Sequence, residues 1–277
     1  MIRCIRTEFK KCMYFPFFLL AALGTLALCL AAIGEYDYTG KSRTILEMMV
    51  RGVDGQTVDQ SGLVLWLNGC SGWLTLILPL LTTFGYLVTL SSERQSGETG
   101  AVLLRAGNLR YCMGKVTGGA LAGGVGAAAG YGLFGLLMAA VFPAFSGFPP
   151  EEQGFYLEIY GASSAAVVIV KRLLGFFLYG IFVSFFGIGV AVAVRDRYML
   201  LCLPFLMNYV YTQVVNKLLW GGSMDGPPGL GQIFSMDTVM DVSADPYWGM
   251  SLVFMAVVYV ALVFLFWLEV KRRGYYG

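Results

Sequence analysis

The residue types that usually carry chemistry are sparse in this sequence. Histidine is absent altogether, which removes the commonest general base, nucleophile activator and metal ligand in one stroke. The six cysteines, Cys4, Cys12, Cys29, Cys70, Cys112 and Cys202, form no C-x-x-C pair. Without histidine partners they make a poor zinc or iron site, and they read as small apolar residues. Adjacent carboxylates occur at Glu151-Glu152, beside Pro149-Pro150, where solvated loop acids are the simplest reading. Nucleotide hydrolysis would need a G-x-x-x-x-G-K-[ST] loop whose backbone amides cradle phosphate. Gly114-Lys115-Val116 has neither that spacing nor the hydroxyl. The chain is therefore expected not to be an enzyme by itself, and to bind no metal, cofactor or ATP of its own.

What remains is a charged segment and some uncharged polar residues in apolar surroundings. In the segment from Glu93 to Lys115, the charges Glu93, Arg94, Glu98, Arg105, Arg110 and Lys115 alternate with the apolar patch Val102, Leu103 and Leu104. This pattern predicts a short helix, a turn at Gly107-Asn108 and the start of another helix, a surface suited to docking another protein. Asn208, Thr212 and Asn216 recur at steps of four, and Thr75, Thr82, Tyr86 and Thr89 occupy a second apolar stretch. Two readings stay open for them. They could line a path for an amphipathic or lipid-like cargo, or hold helices together at roughly 0.6 kcal/mol per hydrogen bond. Thr83-Phe84-Gly85-Tyr86 is similar to a potassium selectivity filter, but Leu87 stands where the final glycine should be. Mid-membrane ionisable residues, the usual mark of proton or sodium coupling, are missing from the apolar stretches, Lys217 lying near an end.

These residues need elements to hold them. Of 277 residues, 57% are hydrophobic and only 13% charged, against about 25% charged in soluble domains. Long uninterrupted apolar runs argue against a β-barrel, and helices are then the remaining way to satisfy backbone groups in lipid. With about 20 residues per crossing, an all-α membrane protein of six spans is expected as a single domain over 1–277. The spans fall at about 15–33, 73–90, 116–142, 173–194, 199–220 and 247–268. Met1 to Tyr14 predicts a basic helix in the membrane surface, with Ile2, Ile5, Phe9 and Met13 on one face and Arg3, Arg6 and Lys10 towards the other. The first span reads as retained, since no small-x-small cleavage site follows it. Residues 34–72 predict a solvated loop with some helix around Ile45 to Val50, and Ala162 to Val170 an interfacial helix.

Gly114, Gly118, Ala122, Gly126 and Gly130 form a ridge of small residues on one helix face, which lets a neighbouring helix approach closely. Orientation follows from the bias of Lys and Arg towards cytoplasmic flanks. Both termini inside puts four basic residues in the N-terminal segment, four in 93–115, two at Arg195 and Arg197 and three at the C-terminus, against six outside. Only Cys70 then lies near an oxidising face, and no structural disulfide is expected. The expected location is the cell membrane, multi-pass, with both termini cytoplasmic and nucleic acid excluded as a partner.

The whole layout resembles the membrane subunit of an ABC-2 type ABC transporter. Glu93, Gly97, Leu103, Leu104, Arg110 and Lys115 match, in order, that family's loose pattern of E-x-x-x-G-T, L-L, a P-x-[ST]-R turn and a lysine opening the third span. Thr99 comes one residue late, and Gly107-Asn108 replaces the proline turn. The resemblance implies that 93–115 is a coupling helix, with Arg94, Glu98 and Arg105 in the same contact. It would seat in a separate cytoplasmic ATP-binding subunit, which holds ATP and Mg. It also implies two membrane subunits per transporter, a second copy or a homologous permease, with spans two and five facing their interface. The implied function is a permease subunit of an exporter of amphipathic, peptide or lipid-like substrates. The competing expectation is a non-transporting scaffold or peptide-immunity protein that binds ligand through its outer loops.

Overall fold

The computed structural model describes residues 2–36, 42–51, 61–70, 72–142, 145, 147–148, 153–194, 196–220, 230–242 and 247–272. The chain begins with α1 (Ile2–Cys12) and α2 (Phe15–Leu30), which meet at a 67° bend. Pro16 stands in the first turn of α2, where a missing N–H costs nothing, and it bars a straight continuation of α1. The first span is shorter than the sequence implies, because Ile33 already belongs to a strand.

The stretch expected to be a solvated loop is the largest correction to the fold. It forms a two-stranded antiparallel hairpin, β1 (Ile33–Tyr36) and β2 (Ser42–Thr44), then α3 (Ile45–Arg51), the helix expected around Ile45 to Val50, and the unexpected α4 (Gly62–Asn68). Helix α4 is not solvated. Leu63, Leu65 and Trp66 are fully buried. Trp66 stacks on Tyr131 at 4.6 Å between ring centroids, donates to the Tyr131 carbonyl at 3.3 Å and accepts from the Tyr131 hydroxyl at 3.0 Å through its own carbonyl. The composition of 34–72 as a whole hides this apolar run, because the acids lie elsewhere in it.

Helix α5 (Trp73–Ser96) leads through Gly97 into α6 (Glu98–Ala106), and α7 (Asn108–Val141) follows. After α8 (Gln153–Ile159), α9 (Ala165–Ala193) is one continuous helix. The separate interfacial helix expected at Ala162 to Val170 is thus the first turns of α9. Lys171 and Arg172 sit within it because both charges find partners: Lys171 donates to the Tyr160 carbonyl at 2.5 Å, and Arg172 to the Leu67 carbonyl at 3.3 Å. Arg172, only 4% exposed, also contacts the Asp241 carboxylate. Helices α10 (Arg197–Trp220), α11 (Leu230–Phe234), α12 (Met236–Met240) and α13 (Tyr247–Arg272) complete the chain. Glu151-Glu152 lies outside the described residues.

Among the described residues five helices, α5, α7, α9, α10 and α13, are long and apolar enough to cross a membrane, and the bent α1–α2 pair makes a sixth if counted as one span. The protein is an all-α, multi-pass membrane protein. Helix α7 is its axis. Its small residues admit α1 and α2 on one face and α9 on another. A Cβ at Gly118 would stand 2.8 Å from the Glu8 Cβ, at Gly126 3.1 Å from the Ala21 Cβ, and at Gly130 2.5 Å from the Ala22 carbonyl oxygen. Ala122 is buried in the same row. On the α9 side, a Cβ at Gly124 would lie 2.9 Å from the Phe177 carbonyl oxygen.

Candidate functional site

The charged segment divides into residues that anchor it and residues that it presents. Gly97 ends α5 with φ of 71° and Gly107 ends α6 with φ of 78°, backbone conformations that side chains with a Cβ rarely adopt. Helix α6 is thereby set off from both neighbours by sharp turns. The turn expected at Gly107-Asn108 is present, with Gly107 as the turning residue. Leu103 and Thr99, one turn apart, face inward at 1% and 5% exposure. Glu98, Ala101, Leu104 and Arg105 form the outer face, and Leu109 and Arg110 extend it onto α7. Leu104 is 72% and Leu109 56% exposed.

Glu93 and Lys115 are not on that outer face. Lys115 is 1% exposed, and its ammonium contacts the Glu93 carboxylate and reaches Glu8 Oε2 at 2.5 Å. The second oxygen of Glu93 accepts from Lys11 at 2.7 Å. Two acids and two bases from α1, α5 and α7 therefore form a neutral cluster behind α6, buried except at Lys11. Burial disfavours the charge on Lys11, yet the hydrogen bond and charge of Glu93, with Glu8 and Glu98, outweigh it and raise the Lys11 pKa above its ordinary value. Gly118 makes the cluster possible, because only a hydrogen at that position lets Glu8 come within reach of Lys115 one turn away.

Arg94 is anchored too. It donates to the carbonyls of Ala191, at 2.5 Å, and Val194, at 3.1 Å, where α9 ends with unpaired carbonyls and partial negative charge. The sequence pattern puts all these charges on one docking surface. The structure turns Glu93, Arg94, Leu103 and Lys115 inward and leaves Glu98, Leu104, Arg105 and Arg110 outside, with Gly97 at the hinge. It also adds Glu8 and Lys11, which the sequence reading passes over. The available signal is Glu8 as a lone acid on a basic helix.

The polar residues for which path lining and helix fastening both stayed open do not form a continuous row. Asn208 is fully buried and donates through Nδ2 to the Thr75 carbonyl at 2.7 Å. Pro79 lies four residues after Thr75 in α5 and has no N–H, so it leaves that carbonyl without its helical donor. Asn208 supplies the replacement from another helix. Thr212 bonds the Asn208 carbonyl within its own helix at 3.0 Å, Thr82 bonds the Leu78 carbonyl at 3.0 Å, and Asn216 is exposed. Tyr86 is buried at 2%, its hydroxyl without a hydrogen-bond partner among the described residues. The geometry favours helix fastening for Asn208, whereas Thr82 and Thr212 each bond a carbonyl of their own helix. Asn208→Leu is expected to destabilise the protein by about 1–3 kcal/mol, the cost of an unpaired buried carbonyl. The same change in a Pro79→Ala background should cost less, since alanine at that position restores the missing N–H. Thermal unfolding of the four proteins in detergent measures the coupling, and equal costs in both backgrounds would refute the pairing.

Among the described residues no group of histidine, cysteine, aspartate or glutamate side chains is placed to hold a metal ion. No protein-family model matches the chain. A search of curated proteins returned no match either.

Proposed function

We propose that the chain is the membrane-spanning subunit of an ABC exporter of the ABC-2 type, with α6 as the helix that docks a separate ATP-binding subunit. The observation that carries this reading is the form of the charged segment. A short amphipathic helix stands between two membrane helices, delimited by two glycines of positive φ, with exposed Leu104 and Arg105 on its outer face and a buried ionic cluster behind it. An exposed leucine flanked by arginine suits a partner's apolar cleft with an acidic rim.

In this reading the α6 end of the bundle faces the cytoplasm, which puts both termini there, as the basic flanks imply. ATP and Mg belong to the partner. Closure of two such ATPases pushes on α6, and the Glu8–Lys11–Glu93–Lys115 cluster passes the displacement to α1, α5 and α7 together. Two permease copies enclose the path of an amphipathic, peptide or lipid-like substrate, with the exposed faces of α5 and α10 towards the partner copy.

Arg105→Glu together with Arg110→Glu is expected to abolish co-purification with the ATPase from native membranes while the protein still inserts and elutes as a folded species. Unchanged co-purification would sink the docking role. Isolation of the wild-type chain with no ATPase at all would favour the scaffold alternative.

A further inference from the structure

A concave apolar groove of about 490 Å³ runs along the outside of the bundle between the first turns of α7 and the last turns of α13. Leu109 and Met113 form one wall, and Val260, Val263, Phe264 and Trp267 the other. Tyr259 lies at the end remote from α6, where its hydroxyl is taken up in a 2.8 Å hydrogen bond with Thr117 Oγ1, so it offers the groove little but an apolar ring. From Tyr259 to Trp267 the helix rises about 12 Å, at about 1.5 Å per residue. The other end is cationic. Lys271 Nζ stands 5.3 Å from the centroid of the Trp267 ring, above the mouth of the groove. Arg110, next to groove-lining Leu109, and Arg272 are exposed, and none of these three cations makes an ion pair among the described residues. Glu269, the acid in that last turn, lies instead on a separate small cavity beside Arg94 and Tyr111.

We propose that this groove is a binding site for one anionic phospholipid of the leaflet on the α6 side, its acyl chain between α7 and α13 and its phosphate on Lys271. An apolar trough with a cation at one end is complementary to a molecule with a tail and a negative head. Trp267 supports the assignment, since tryptophan with lysine or arginine above it is the usual anchor at the depth where headgroups begin. A second copy of the chain is a worse occupant. A two-fold contact through this face would bring its cations against the same cations of the other copy. The groove shares Leu109 and Arg110 with the outer face beside α6, but Lys271 and Val260, on which its test rests, belong to α13 and not to that face.

Native mass spectrometry of the purified full-length chain, offered phosphatidylglycerol and phosphatidylcholine at equal concentration, tests the assignment. One phosphatidylglycerol is expected to remain bound in preference to phosphatidylcholine. Lys271→Gln should reduce that preference about fivefold, the worth of one cation beside an anionic headgroup. Val260→Trp, which fills the groove from its open side at a position 64% exposed, should reduce retention of both lipids while thermal unfolding shows the variant folded. Equal retention in the wild type and in Val260→Trp would overturn the proposal. So would displacement of the lipid by inorganic phosphate alone, or a Val260→Trp variant that loses dimer and keeps its lipid, which would assign the groove to a second copy.

Discussion

Lys115→Met alone is expected to cost about 3–5 kcal/mol, and the same substitution combined with Glu8→Gln and Glu93→Gln is expected to recover most of that loss. Both halves follow from burial. The Lys115 ammonium is enclosed and meets a carboxylate from α1 and another from α5. Removing it leaves Glu8 and Glu93 facing each other with almost no access to water, the situation in which breaking a buried ion pair is most damaging. Neutralising the whole group removes the repulsion and the desolvation cost together, and such replacements are often close to neutral. Lys11 tolerates the triple change because its side chain is 37% exposed and can turn to water. Thermal unfolding in detergent, followed by fluorescence, distinguishes the single from the triple variant. If both lose the same stability, the cluster is not the fastening described above. The proposed transport role adds a second readout. If that proposal holds, a triple variant that folds and co-purifies with an ATPase, yet moves no substrate, would place the cluster in the transmission of movement.

Gly130→Leu is the substitution with the next largest expected effect. A Cβ at Gly130 would lie 2.5 Å from the Ala22 carbonyl oxygen and equally close to the Thr25 Cβ. A backbone atom cannot rotate out of the way, so α2 itself would have to move off α7. Overpacking in cores costs about 1–3 kcal/mol where side chains can adjust, and this site should reach the top of that range or exceed it. Gly132→Leu is the matched control, since the nearest atom there is the Leu173 Cδ2 at 3.8 Å. Size-exclusion profiles of the two variants should differ, with Gly130→Leu giving aggregate and Gly132→Leu the wild-type peak. Similar profiles would mean that α2 is seated by something other than the small-residue row.

The parts of this architecture that are legible in the sequence are those written in local pattern. Apolar length announces α5, α7, α9, α10 and α13, and steps of four announce the small-residue face of α7. Gly107-Asn108 announces a break, and Gly107 provides it. The parts that are not legible depend on partners distant in sequence. Helix α4 is seven residues long, too short to carry a periodic signal, and its burial is decided by Tyr131, far along the chain. Lys171 and Arg172 look like a helix boundary because charges usually stop an apolar run, and the carbonyls of Tyr160 and Leu67 with the Asp241 carboxylate explain why the helix continues. In the candidate site, residue types show which positions are charged but not which way they face. The pattern groups Glu93 and Lys115 with Arg105 and Arg110, although Gly118 and Glu8 turn the first two inward. Asn208 shows the same limit: its spacing from Thr212 and Asn216 suggests a row, whereas its role is fixed by Pro79 on another helix.

The shortness of α2 bears on the lipid around the protein. Its 16 residues rise about 24 Å, less than the roughly 30 Å of an average hydrocarbon core. Hydrophobic mismatch on this scale is relieved by local thinning of the bilayer or by long side chains stretching to the headgroups. Arg3, Arg6 and Lys10 on α1 are placed to do the second, and α5, α7, α9 and α13, all longer, have no such need. The protein should therefore sit in an asymmetrically deformed collar of lipid, thin beside α1 and α2 and of ordinary thickness elsewhere.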